Sequence, residues 1–260
     1  MTFDQTGFGD VYSAVFLILI APAIGSFLGV LVDRLPRQED IFGQRSGCRA
    51  CGAPLGFIDL IPILSFVMLG AKCRQCHKPI AGWHLYLEVA ALGLALVALS
   101  SGGNLVLIWL TALFFWILLG LVAADLLWFR LPDPLTLALF VTALALAMLP
   151  GQMGVFLALA GAALGSGVFW IIRIAYKAVR GREGLGFGDV KLMAGLGAFC
   201  GPFDLALLLL LASAGALITG LVAYGVRGGS GPWATRRLPF GAALCIASLV
   251  LWIYRQGSPI

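Results

Sequence analysis

The sequence predicts an all-helical membrane bundle of about eight spans, carrying one small cytoplasmic insertion of zinc-ribbon type. Three observations carry that expectation. Of 260 residues, 61% are apolar and only 11% are charged, too few polar groups to coat a water-soluble globule of this size. The apolar residues fall into long runs, close to the roughly 20 residues that cross a bilayer. Four of the six cysteines are gathered into two Cys-x-x-Cys pairs, which in a reducing compartment indicates a metal site rather than a disulfide framework. Disorder is excluded by the apolar content.

Taken in order, the runs predict helices near 11–33, 84–100, 105–124, 134–149, 154–176, 189–200, 203–225 and 238–254. The run at 189–200 is short and dotted with glycine, as a partial span would be. Gly, Pro and Asn mark tight connections at 101–104, 150–151 and 201–202. In the first run, Ala21, Ala23, Gly25, Ser26 and Gly29 would let a neighbouring helix approach closely. The polar start, MTFDQTGFGD, has no Lys or Arg before the first apolar run and predicts no cleavable signal.

The formal charge of +5 reads as topology rather than as a nucleic-acid surface. Arg34, Arg37, Arg45, Arg49, Lys72, Arg74 and Lys78 lie between the first two runs. Later basic residues fall in alternate connections: Arg130; then Lys177, Arg180 and Arg182; then Arg227, Arg236 and Arg237. The connections between carry none. Short basic loops face the cytoplasm, so eight spans place every basic loop on one side and both termini outside. The predicted organisation is a first span at 1–33, a cytoplasmic tetracysteine domain at 34–83, and a transmembrane bundle at 84–260.

Cys48-Arg49-Ala50-Cys51 and Cys73-Arg74-Gln75-Cys76 form two knuckles. Each can turn two thiolates onto one ion, and four soft ligands close a tetrahedral zinc shell. His77 could replace one ligand, although four cysteines already fill the shell. A shell with no open position makes the zinc structural, the nucleus of a loop too small to be stable alone. Cys200 and Cys245 sit in apolar runs as ordinary packing residues.

Ionisable groups at a membrane edge are costly and mark function. Asp125 ends the third predicted span, Asp133 follows in Leu131-Pro132-Asp133-Pro134, and Asp189 opens the sixth span in Gly186-Phe187-Gly188-Asp189-Val190-Lys191. By the loop assignment, Asp125 and Asp189 share one depth and one face. Two converging carboxylates can share a proton and activate a water, and glycines beside one of them admit a substrate backbone. The alternative is an N-cap at Asp189 and a solvated helix end at Asp125. A second G-x-G-D string, Gly7 to Asp10, lies on the outer side with no matching acid and reads as a decoy. Membrane acids also serve proton-coupled transporters, but those tend to show two similar halves, which this chain lacks.

Together these strings resemble the type IV prepilin peptidase family. Gly25-Ser26-Phe27-Leu28 and Arg34-Leu35-Pro36 resemble its opening span. Asp59-Leu60-Ile61-Pro62-Ile63-Leu64-Ser65, between the knuckles, resembles its D-N-x-P-L-L-S stretch. Glu88 stands in its V-E-L segment, Asp125 with Pro132-Asp133 matches D-x6-P-D, Gly186 to Lys191 matches G-x-G-D-x-K, and Pro239-Phe240-Gly241 matches P-F-G. The similarity runs in order from about residue 22 to 245.

The resemblance implies an inner-membrane aspartyl endopeptidase with Asp125 and Asp189 as the catalytic pair. Gly186, Gly188, Lys191, Asp133 and Glu88 would bind substrate or support the site. Its substrates would be prepilins and pseudopilins, cut after a glycine at the cytoplasmic face, with lipids but no nucleic acid as further partners. The cysteine-bearing loop accompanies methylation of the new N-terminus from S-adenosylmethionine, and two departures bear on that step: Leu60 in place of Asn, and Gly29 where Asn is common. Helix ends suggest that Asp189, at a helix N-terminus, carries the charge while Asp125, at a C-terminus, holds the shared proton. Lys191 could hold the local loop, screen the pair or snorkel at the lipid boundary, and Glu39, Asp40 and Asp59 are candidates to meet a basic leader.

Overall fold

The computed structural model describes residues 5–41, 43, 45–182, 184–226 and 238–257. Nine helices appear among them: α1 (Gln5–Arg34), α2 (Leu64–Met68), α3 (Trp83–Leu99), α4 (Leu105–Trp128), α5 (Asp133–Ala147), α6 (Val155–Arg180), α7 (Phe187–Cys200), α8 (Leu205–Val226) and α9 (Phe240–Gly257). No strand occurs among the described residues, and only two isolated bridges, Gly47 with Pro54 and Lys72 with Pro79, interrupt the helical pattern. Every predicted apolar run is a helix. Four of these segments, 11–37, 105–128, 155–180 and 205–222, are long and apolar enough to cross a membrane, so the chain is a multi-pass membrane protein. Arg227, Arg236 and Arg237 lie outside the described residues.

The chain divides into two compact units, Met1–Gly120 and Leu121–Ile260, with the boundary inside α4. In the first unit α1 packs along α3. The small residues make this possible, since a Cβ on Gly25 would come within 2.6 Å of the Glu88 Cα. Buried Trp116 of α4 donates its indole N–H to the Ala91 carbonyl at 3.0 Å, and Trp109 donates to the Ser13 hydroxyl at 2.8 Å. Such bonds fix neighbouring helices where no water competes. At the end of α1, buried Arg34 gathers the carbonyls of Asp40 and Ile41 at 2.9 and 3.1 Å, folding the chain back into the insertion.

The second unit is built around α7. This helix is only 14 residues long, and Val190, Leu192, Met193, Leu196 and Ala198 are all buried. It packs against α5, α6 and α9, so its glycines face helices rather than lipid. Gly161 of α6 and Gly197 of α7 touch backbone to backbone, and a Cβ on either would collide with the other's carbonyl. Small residues allow this close crossing where lipid supplies no hydrophobic drive between helices.

Candidate active site and tetracysteine centre

Asp125 lies one turn before the end of α4, and the Phe129 N–H closes that end on the Asp125 carbonyl at 3.0 Å. The chain then turns through Leu131 and Pro132 into α5, whose first residue is Asp133. Asp189 is the third residue of α7, after the extended Gly186. The carboxyls of Asp125 and Asp189 lie within electrostatic reach of each other. Asp125 is buried, whereas Asp189 is partly exposed.

The surroundings of Asp125 were not legible from its own helix. Its Oδ2 accepts the Ala242 N–H at 2.7 Å, one of the free donors in the first turn of α9. Gly241 sits directly against it, for a Cβ there would stand 3.1 Å from Asp125 Oδ2 and 3.1 Å from Leu131 Cδ1. Asp189 in turn is approached by Gly186, where a Cβ would stand 3.2 Å from Oδ2. Both acids therefore end at a helix N-terminus, Asp189 at its own and Asp125 at that of α9. The expected asymmetry, with charge on Asp189 and the proton on Asp125, loses its basis, because the dipole of α9 favours negative charge on Asp125 as well.

Leu131 went unnoticed in the sequence. It fills the space between the two glycine turns, since a Cβ on Gly188 would stand 3.1 Å from its own Cβ. Its signal was available only as an apolar residue held between Arg130 and Pro132. Lys191 does not screen the pair: its Nζ binds Asp133 Oδ1 at 2.7 Å and lies 4.9 Å from the Phe187 ring centroid. It ties the start of α7 to the start of α5. The decoy Asp10 falls within α1, its side chain outside the described residues.

In the first unit, the thiols of Cys48, Cys51, Cys73 and Cys76 lie within 4.8 Å of one another. The Cys48 and Cys76 sulfurs are 3.8 Å apart, which is the edge of a tetrahedron with metal–sulfur bonds of about 2.3 Å. The donor set and its spacing fit zinc. Each knuckle folds alike: Cys48 N–H binds the Ala53 carbonyl and Gly52 N–H binds that of Cys48, while Cys73 N–H binds Lys78 and His77 N–H binds Cys73. His77 thus occupies the position of Gly52, and both have positive φ, 55° and 74°. It turns the chain, and the cluster consists of the four cysteines.

Arg49 bridges Asp33 and Glu39, and Arg74 holds Asp59 at 2.8 Å. Those arginines keep Glu39 and Asp59 below the usual carboxylate range. Both acids thus pair with arginines of the insertion. Glu88 is buried in α3 and its Oε2 accepts the Ile63 N–H at 2.6 Å. A Cβ on Gly29 would stand 3.1 Å from His84 Nδ1, so His84 occupies the room an asparagine would need there.

Residues 19–101 match the family model of the bacterial peptidase A24 N-terminal domain, and residues 112–221 match that of the type IV leader peptidase family. The chain is 32% identical over 271 residues to a prepilin leader peptidase/N-methyltransferase of Aeromonas hydrophila, covering 93% of this chain and 90% of the relative. This chain belongs to the type IV leader peptidase family. The corresponding leader peptidase/N-methyltransferase of Aeromonas salmonicida (strain A449) is 33% identical over 272 residues, with 93% and 90% covered. That of Legionella pneumophila is 31% identical over 259 residues, with 89% and 88% covered. No solved structure matches the chain at a comparable level of significance. Membership in a leader peptidase family leaves the transporter alternative without support.

Proposed function

We propose that this chain is a membrane aspartyl endopeptidase that removes the basic leader from prepilins and pseudopilins. It would cut after glycine at the cytoplasmic face of the bacterial inner membrane. The observation that supports the reading is that Asp125 and Asp189 lie in one unit within electrostatic reach of each other, each carboxyl at a helix N-terminus and beside a glycine. One carboxylate takes a proton from a water held between the pair, and the water oxygen attacks the scissile carbonyl. The other acid protonates the carbonyl oxygen as the tetrahedral centre forms. The two titrate as a unit, and the role of each alternates as the amine leaves. Backbone N–H donors already aimed at Asp125 hold it without reorganisation during the reaction. Gly186 and Gly188 support the site by letting the Asp189 carboxyl and Leu131 pack close against the start of α7. Asp133, Lys191 and Glu88 position rather than react.

The mature pilin's apolar helix would reach the pair from the bilayer while the leader extends into the cytoplasm. Eight crossings with both termini periplasmic put the basic connections and both acids on that side. The tetracysteine domain at 34–83 would hold a structural zinc, which supplies cross-linking and no chemistry. The relatives' names support a second activity, N-methylation of the new terminus, for which S-adenosylmethionine supplies the methyl group. Among the described residues no cluster of side chains identifies where that cofactor sits. Incubation of the purified protein with a prepilin and an S-adenosylmethionine methyl donor tests both activities. A shortened, methylated product is expected. Asp125→Ala and Asp189→Ala should each abolish shortening with zinc content unchanged. Cleavage at a normal rate by either variant would refute the pair.

A further inference from the structure

Between the two knuckles, the segment 57–68 exposes apolar side chains that the insertion does not cover. Phe57 is 94% exposed, Met68 72% and Val67 65%, with Ile58, Ile61 and Leu64 also open. So many open apolar side chains in one short segment mark an interaction surface. The backbone at its centre is unusual. Ile63, a β-branched residue, has φ 62° and ψ −53°, and the Leu64 N–H binds the Pro62 carbonyl at 2.6 Å. This is a tight γ-turn of the strained, positive-φ kind. It leaves the Ile63 N–H pointing outward, where the buried Glu88 carboxylate receives it at 2.6 Å.

The position of Glu88 sets the depth of this turn. It is the sixth residue of α3, about 7 Å along the helix from Trp83 at 1.5 Å per residue. Side chains lean towards a helix's N-terminus, so the carboxylate lies somewhat nearer the entry, yet still inside the apolar part of the helix. Tyr86 and Val89, on either side of Glu88, are exposed and belong to the lipid-facing surface. In hydrocarbon, an irregular backbone must have its N–H groups satisfied by protein, and Glu88 provides that partner. Exposed Lys72 and Lys78 in the following knuckle suit an anionic headgroup layer.

We propose that residues 57–68 form a re-entrant element, dipping into the cytoplasmic leaflet and anchored there by the Glu88–Ile63 hydrogen bond. The occupant of the patch is lipid, and the zinc knuckles are held against the membrane surface. The inference rests on reading α1 and α3 as membrane crossings. It goes beyond the proposed peptidase, which needs no contact between the insertion and the bilayer.

The test uses the full chain in vesicles of phosphatidylethanolamine and phosphatidylglycerol containing a trace of phospholipid with an acyl-chain diazirine. After photolysis and trypsin digestion, lipid adducts are expected on peptide 50–72 at a yield within about threefold of α8, whose Leu217 and Ile218 are exposed. Labelled α8 with unlabelled 50–72 would overturn this inference alone. Unlabelled α8 would overturn the membrane reading itself and the inference with it. Glu88→Ala should lower labelling of 50–72 several-fold while α8 stays constant, and Glu88→Gln, which keeps an acceptor, should preserve it. Equal labelling in Glu88→Ala and wild type would remove the anchor. Loss of the adducts on adding equimolar prepilin would show a peptide site in place of a lipid one, which also overturns it.

Discussion

At the residue scale, the site depends on what stands beside each carboxyl as much as on the carboxyls. In the proposed mechanism, Asp125→Asn and Asp189→Asn remove the groups that exchange a proton with the attacking water. Each should lower prepilin cleavage by about 10³-fold or more, measured as the initial rate of product appearance. Gly241→Ala tests the surroundings. Its added methyl would press on Asp125 Oδ2 and Leu131 at 3.1 Å, and a shift of an ångström in a catalytic group costs about 10²-fold. We expect kcat to fall by about 10- to 100-fold with thermal unfolding nearly unchanged. The Lys191–Asp133 pair is exposed on its Asp133 side. A double-mutant cycle with Lys191→Met and Asp133→Asn should give a coupling below about 1 kcal/mol, which an unfolding series would report.

At the element scale, α7 holds Asp189 in place through its crossing with α6. Gly161 and Gly197 leave no room for a side chain, so Gly197→Val should destabilise the unit by about 1–3 kcal/mol, seen as a lower unfolding temperature in detergent. A zinc ion bound by the four cysteines would hold the insertion together. Chelation should open Arg49 and Arg74 to trypsin while residues 121–226 stay resistant, because four-thiolate sites supply most of the folding energy of such modules. The insertion's ion pairs follow pH with a defined sign. Glu39 and Asp59 are held below their ordinary values by Arg49 and Arg74. Their contribution is complete above the ordinary carboxylate range and lost only as pH falls through the lowered values. Zinc retention against pH should therefore show no change from these pairs between neutrality and about pH 5, and raised salt should weaken them first.

At the scale of the whole molecule, the alternation of basic and uncharged connections predicts a sidedness that labelling can read. In intact cells an impermeant thiol reagent should modify Ser101→Cys and Gln152→Cys, and leave Arg182→Cys unmodified until the membrane is opened. The opposite pattern would invert the topology and place the acid pair on the outer face. Among the described residues, four of the apolar helices are long enough to cross a bilayer and the others are shorter. The short, buried α7 shows why: a helix enclosed by protein has no need to match the thickness of the lipid.

Much of this protein could be read along the chain. Apolar runs dictate helices in any membrane because the backbone must bond to itself, and Cys-x-x-Cys pairs dictate a four-thiolate centre because two thiols at that spacing turn onto one ion. The two acids stood out because charge at a membrane edge is costly. Tertiary structure alone decided what those acids touch. The N-terminus of α9 meets Asp125 across more than a hundred residues, Leu131 wedges between two glycine turns, and Glu88 receives the Ile63 N–H. None of these contacts has a local period or propensity. Each arises from where packed helices bring donors and acceptors together, and a linear pattern carries no record of that.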